Sequence, residues 1–117
     1  MNEQLERKFI YVDNPVAVES LVLDVKSCKD LAIDTEADSL YSYYHKVCLI
    51  QITIAQQNYI VDPLAKINLK PLLKAISAKP LLLHDAGYDL RMMRSSFGFV
   101  SHNKVFDTML AARLLGY

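Results

Sequence analysis

Two short acidic groupings hold the residues best suited to chemistry in this 117-residue chain, and each ends an apolar run. The first is Asp34-Thr35-Glu36, which follows Leu31-Ala32-Ile33. Residues two apart on a strand point to the same face, so the Asp34 and Glu36 carboxylates converge there. Each ionised acid destabilises the other, and a cation relieves both. Oxygen donors of this kind suit a hard divalent ion, Mg²⁺ or Mn²⁺. The plainer alternative is a solvated strand end with two unrelated acids. The second grouping is His84-Asp85, after Pro80-Leu81-Leu82-Leu83, with Asp89 four residues beyond Asp85. A strand-to-helix step puts Asp89 near the first turn of the next helix, where its carboxylate could face the edge holding Asp34 and Glu36. Asp85 reads equally as an N-cap, and Asp89 as a first-turn acid favoured by the helix dipole. Spacing alone does not choose between these readings.

The elements that must position these residues follow from periodicity and punctuation. Phe9–Val12 reads as a short strand. Asp13-Asn14-Pro15 opens a helix with a polar cap and a first-turn proline, and Val16, Val18, Leu21, Val22 and Val25 carry it to about Ser27. Leu31–Glu36 reads as a buried strand reaching an open edge. Val47–Ala55 and Asn58–Val61 are two further strands, and the short gap at Gln56-Gln57 predicts an antiparallel hairpin. Leu69, Leu72, Leu73 and Ile76 give a short helix at i, i+3, i+4, i+7 spacing. A fourth buried strand, Pro80–Leu83, precedes a helix from Tyr88 to Phe97 closed by Gly98. Asp107 caps a last helix, Thr108–Leu115, with Gly116 just beyond it. This order predicts an α/β layer with a mixed sheet. Ligands in such sheets bind beyond the strands' carboxyl ends, where this chain places its acids.

Composition narrows the function. Lys and Arg total 13 and Asp and Glu total 13, so no polybasic coat is available and any nucleic-acid contact must be local or metal-mediated. With 52% hydrophobic and 22% charged residues, the chain is neither disordered nor short of core. One domain of this length buries roughly two-thirds of its unfolded surface. Cys28 and Cys48, without CxxC spacing, read as free thiols in a reducing compartment. The N-terminus lacks an apolar signal core, and no run approaches the roughly 18 apolar residues of a membrane span. These features point to a cytoplasmic chain with no membrane partner.

Among other candidates, Tyr41-Ser42-Tyr43-Tyr44 could stack on bases or pack on the sheet. Arg91 and Arg94 share a helix face that reads as solvated, though they could touch phosphates. At least one of Met92 and Met93 reads as core, and His45 and His102 read as solvated.

Three segments carry a resemblance to a known family. Asp34-Thr35-Glu36-Ala37-Asp38-Ser39-Leu40 resembles the first motif of the DEDD 3′–5′ exonucleases. His84-Asp85-Ala86-Gly87-Tyr88-Asp89-Leu90 resembles their second, H-N-x-x-x-D, and Phe106-Asp107-Thr108 resembles the helix start that follows. Ribonuclease D-type proteins are nearest in pattern, and the likeness runs from about Phe9 to the last residue. It implies a ribonuclease H-like fold, a mixed sheet flanked by helices. It also implies two-metal hydrolysis of nucleic-acid 3′ ends that releases nucleoside monophosphates. One ion generates hydroxide and the other stabilises the leaving oxygen, about 3.5–4 Å apart.

On that resemblance, Asp34 bridges two Mg²⁺ or Mn²⁺ ions. Glu36 holds the nucleophile-side ion and contacts the 3′-hydroxyl, and Asp89 holds the second ion. Leu40 wedges against terminal bases, and the Thr35 backbone lies near the terminal nucleotide. His84 orients the second motif's loop on the substrate side, beside Asp85.

Two departures from the family pattern stand out. Asp85 replaces the usual Asn, which bears on a substrate hydrogen bond rather than on the metal site. The third motif, Tyr-x-x-x-Asp or His-x-x-x-Asp, is absent: the only acid after Asp89 is Asp107, and Asn103 stands four residues before it. The expectation is therefore one domain over residues 1–117, the N-terminal part of an exonuclease domain, its fold incomplete at the C-terminus. Such a chain should be weakly active or inactive alone, act on single-stranded 3′ ends with RNA ahead of DNA, and expose apolar surface open to homo-oligomerisation. The rival is a non-catalytic nucleic-acid-binding or oligomerising module with a vestigial metal site.

Overall fold

The computed structural model describes residues 8–38 and 46–116. Among these, the elements run β1 (Phe9–Val12), α1 (Pro15–Ser27), β2 (Leu31–Asp38), β3 (Lys46–Ile54), β4 (Gln57–Val61), α2 (Lys70–Ser77), β5 (Leu81–Leu83), α3 (Ala86–Phe97), β6 (Val105–Asp107) and α4 (Thr108–Leu114). The strands form one mixed sheet in the order β1-β4-β3-β2-β5-β6. β3 runs antiparallel to both its neighbours, β2 and β4, and the other pairs are parallel. The predicted hairpin is present, with its turn at Ala55-Gln56, one residue earlier than expected, and Ala55 at φ 54°.

Local chemistry explains the helix ends. The Asn14 side chain accepts from the Ala17 N–H at 2.9 Å, with Pro15 at the first helical position of α1. At the other end, Lys79 Nζ donates to the Lys26 and Cys28 carbonyls, two of the oxygens a helix terminus leaves unpaired. Gly98 closes α3 at φ 70°, a left-handed position that a side chain would strain. α3 starts at Ala86, two residues before the predicted Tyr88. β6 was not anticipated, because three residues are too few to show a period.

The core lies on one face of the sheet. Leu31, Ile33 and Thr35 of β2, Ile50 and Ile52 of β3, Tyr59 and Val61 of β4, and Leu81 and Leu83 of β5 all turn inward. They join one cluster with Leu21 and Val25 of α1, Leu72 and Ile76 of α2, and Met92 and Met93 of α3. The other face carries Asp34, Glu36, Gln51, Thr53 and Ile60, all half-buried or exposed. Val16, one of the apolar residues read as carrying α1, is 75% exposed; it sits in the first turn, beyond the Val18-Leu21-Val22-Val25 stripe.

One irregularity lies beside the acids. Glu36 pairs with Leu49 but Ala37 pairs with Val47, so Cys48 is an extra residue in β3. This β-bulge puts Val47, 1% exposed, into the core together with Ile50 and Ile52. Strict alternation would have sent Cys48 inward instead, because a one-residue slip flips each side chain to the other face.

A stability comparison tests this core. Ile50→Ala, at a fully buried site, should cost about 2–5 kcal/mol in urea unfolding. Val16→Ala should stay within about 0.5 kcal/mol of wild type. Comparable losses at the two positions would refute the assignment.

Candidate active site

β2 divides its acidic motif between the two faces of the sheet. Asp34 and Glu36 lie on the open face, both exposed. Thr35, between them, is 7% exposed and faces α3. Its hydroxyl donates to Asp89 Oδ1 at 2.5 Å, and Asp89 is 2% exposed. Asp89 stands in the first turn of α3, as predicted, but as a buried carboxylate rather than a solvated dipole partner. It reaches the first motif through the core, by way of the residue between the two acids.

Burial pushes the Asp89 carboxyl above the usual carboxylate range. The Thr35 hydroxyl opposes this, the Asp34 charge adds to it, the Thr35 backbone N–H opposes it, and the Asp85 charge adds a smaller part. Asp89 therefore senses the charges of Asp34 and Asp85. Among the described residues, no three His, Cys, Asp or Glu side chains form a ready-made metal-binding group. The donor chemistry nonetheless fits a hard divalent cation: all candidates are carboxylates, and a cation would relieve the buried one.

A cleft of about 380 Å³ adjoins Asp34 and is lined by Gln51, Thr53, Leu82, His84 and Thr108, among others. His84 is exposed, and its Nδ1 lies 3.0 Å from Thr108 Oγ1, whose hydroxyl donates to the Leu83 carbonyl at 3.3 Å. The two contacts agree when His84 carries its proton on Nδ1. The bond ties the second motif's loop to the start of α4. Leu40 and the Tyr41–Tyr44 cluster lie outside the described residues, as does His45. Arg91, Arg94 and His102 are exposed, and Met92 and Met93 are both core.

Asp85 occupies the N-cap position of α3, but its side chain makes no cap bond and its backbone is left-handed at φ 63°. That conformation costs a residue with a Cβ about 1–3 kcal/mol, although Asp tolerates it better than most. The capping comes from another strand end. Asp107 Oδ1 accepts from the N–H groups of Asp85 (3.2 Å), Met109 (2.9 Å) and Leu110 (3.1 Å), and Oδ2 accepts from Ala86 (2.9 Å). The bond from Leu110, followed by that from Ala86, holds the Asp107 carboxyl below the usual range. The sequence showed Asp107 as the cap of its own helix but not its reach to α3. The inward hydroxyl of Thr35 was the readable sign that something polar must meet it.

The sequence profile of a 3′–5′ exonuclease domain matches residues 9–117. The chain belongs to that exonuclease family. It is 31% identical over 110 residues to the exosome complex exonuclease RRP6 of Saccharomyces cerevisiae, covering 92% of this chain and 15% of the relative. It is 33% identical over 90 residues to ribonuclease D of Nitrobacter hamburgensis, covering 74% and 23% respectively. The crystal structure of Escherichia coli RNase D superposes with a TM-score of 0.82 at 28% identity, covering 94% of this chain and 30% of that one. The exonuclease domain is thus of RNase D/RRP6 type, with the mixed-sheet fold the resemblance implied, and it spans under a quarter of these curated relatives. The rival reading, a non-catalytic module, is not favoured. No helix among the described residues is long and apolar enough to cross a membrane.

The raised Asp89 pKa gives a signed prediction. Its contribution to stability is full below the unfolded value, near 3.8, and is lost as pH rises through the folded value. Metal-free Asp89→Asn should therefore melt above wild type at pH 7, and the gain should shrink as pH falls towards 3.8. A gain that grows on acidification would contradict this.

Proposed function

We propose that Asp34, Glu36 and Asp89 hold divalent ions, Mg²⁺ or Mn²⁺, for hydrolysis of phosphodiester bonds at the 3′ ends of single-stranded nucleic acid. RNA is the favoured substrate; E. coli RNase D is described as an exoribonuclease involved in structured RNA processing. The observation that carries this reading is the buried Asp89 carboxylate, joined to the residue between Asp34 and Glu36. Bound divalent ions supply a hydroxide nucleophile and stabilise the leaving oxygen.

The chain's own residues do the positioning. Thr35 fixes Asp89 from within the core, and β2 presents Asp34 and Glu36 on the open face beside the 380 Å³ cleft. His84 and Asp85 border the substrate side, with Leu40 and the Thr35 backbone assigned to the terminal nucleotide. Residues 1–117 are read as part of one exonuclease domain. Its three carboxylates suit weak rather than tight binding of an ion pair, so slow turnover is expected of the chain alone.

Self-association belongs to the same reading, because Phe9, Tyr11 and Phe106 are exposed on the face opposite the core. The two free, half-buried cysteines fit a reducing compartment such as the cytoplasm.

Hydrolysis of 5′-labelled single-stranded RNA with Mn²⁺ tests the proposal. Wild type should shorten the strand stepwise from its 3′ end. Asp34→Ala should slow it by about 100-fold or more, since a ligand matters at least as much as the groups that orient it. Equal rates would sink the assignment.

A further inference from the structure

Asp107 does more than start its own helix. Its carboxylate accepts four backbone N–H groups, two from Asp85 and Ala86 at the start of α3 and two from Met109 and Leu110 at the start of α4. The bonds are divided by oxygen: Ala86 is met by Oδ2, and the other three by Oδ1. The residue it grips, Asp85, holds a left-handed backbone. The Asp85 carbonyl in turn accepts from the Tyr88 N–H at 3.1 Å and the Asp89 N–H at 3.4 Å. Asp89 then accepts from the Thr35 hydroxyl. A continuous hydrogen-bonded path therefore runs from Asp107 through the Asp85 backbone to the Asp89 carboxylate and on to β2. Thr108 reinforces the same junction through Leu83 and His84.

We infer that Asp107 is a positioning residue for the metal centre, a clamp that sets the start of α3 so that Asp89 meets Thr35 beside Asp34. This rests on the metal-centre reading above. Both oxygens are needed: Oδ1 bridges Asp85 to Met109 and Leu110, and Oδ2 alone meets Ala86. An amide cannot replace them: the oxygen of Asn can serve Met109 and Leu110, but its NH₂ then faces the Ala86 N–H, donor against donor.

Two variants of the full 117-residue chain test the clamp, Asp107→Asn and Asp107→Ser. Both are good N-cap residues for α4, so either can serve if the other folds poorly. Amide hydrogen exchange by NMR and Mn²⁺ binding by electron paramagnetic resonance are the readouts. The amides of Ala86 to Asp89 should exchange about 10-fold faster or more, while those of Met109 and Leu110 keep their protection. Mn²⁺ affinity should fall by about 10–100-fold, the usual effect of losing a group that orients a ligand. Wild-type exchange at Ala86 to Asp89 would overturn the clamp. So would wild-type Mn²⁺ affinity in Asp107→Asn when Asp34→Ala lowers it. If Asp34→Ala leaves Mn²⁺ binding intact, the metal-centre reading is what fails, and exchange at Ala86 to Asp89 alone decides the clamp.

Discussion

A carboxylate enclosed in an apolar core is the constraint around which this structure is arranged. An unpaired buried charge costs several kcal/mol, and Asp89 is 2% exposed. The Thr35 hydroxyl provides the partner, from the one inward-facing position between two outward-facing acids. That bond ties α3 to β2 and offsets part of the burial that makes the carboxyl resist ionisation. A cation is the natural relief for such a group, which ties the packing of the core to the chemistry of the family.

The rest of the sheet keeps this arrangement in register. β2 is central, bonded to β3 on one side and β5 on the other, so both acidic motifs end on adjacent strands. The bulge at Cys48 lets β3 keep Val47 in the core while following the end of β2, and it falls at Glu36. α3 is further pinned by Ser96, whose hydroxyl accepts the Val47 N–H at 3.0 Å. Its N-terminus is held by Asp107 and its middle by Met92 and Met93. The helix that carries Asp89 therefore has little freedom to slide.

Much of this was legible in the sequence, for identifiable reasons. The cap at Asn14, the hairpin, the stop at Gly98 and the apolar stripes of α1 and α2 are local signals, and local signals need no knowledge of the partner. The same periodicities put Asp34 and Glu36 on one face of β2 and Asp89 in the first turn of α3. But β2 runs on to Asp38, so the two acids lie within the strand and not at its end. What could not be read were the non-local terms. A bulge changes which neighbour a residue faces without changing the residue. Asp107 shows a helix cap whether or not its second oxygen reaches another helix. Asp85 looked like a side-chain cap because its type and place fit one, yet its own N–H goes to the Asp107 carboxylate, 22 residues away. The route by which Asp89 reaches the first motif, through the core and not across the open face, is likewise a property of packing.

The most direct test of the account is a carbon-detected NMR titration of the Asp89 side-chain carboxyl, with and without Mg²⁺. The midpoint should lie above the usual value near 3.8 in the metal-free chain. It should move down on adding Mg²⁺, because a cation favours the ionised form. A midpoint at or below 3.8 that Mg²⁺ leaves unmoved would contradict the account.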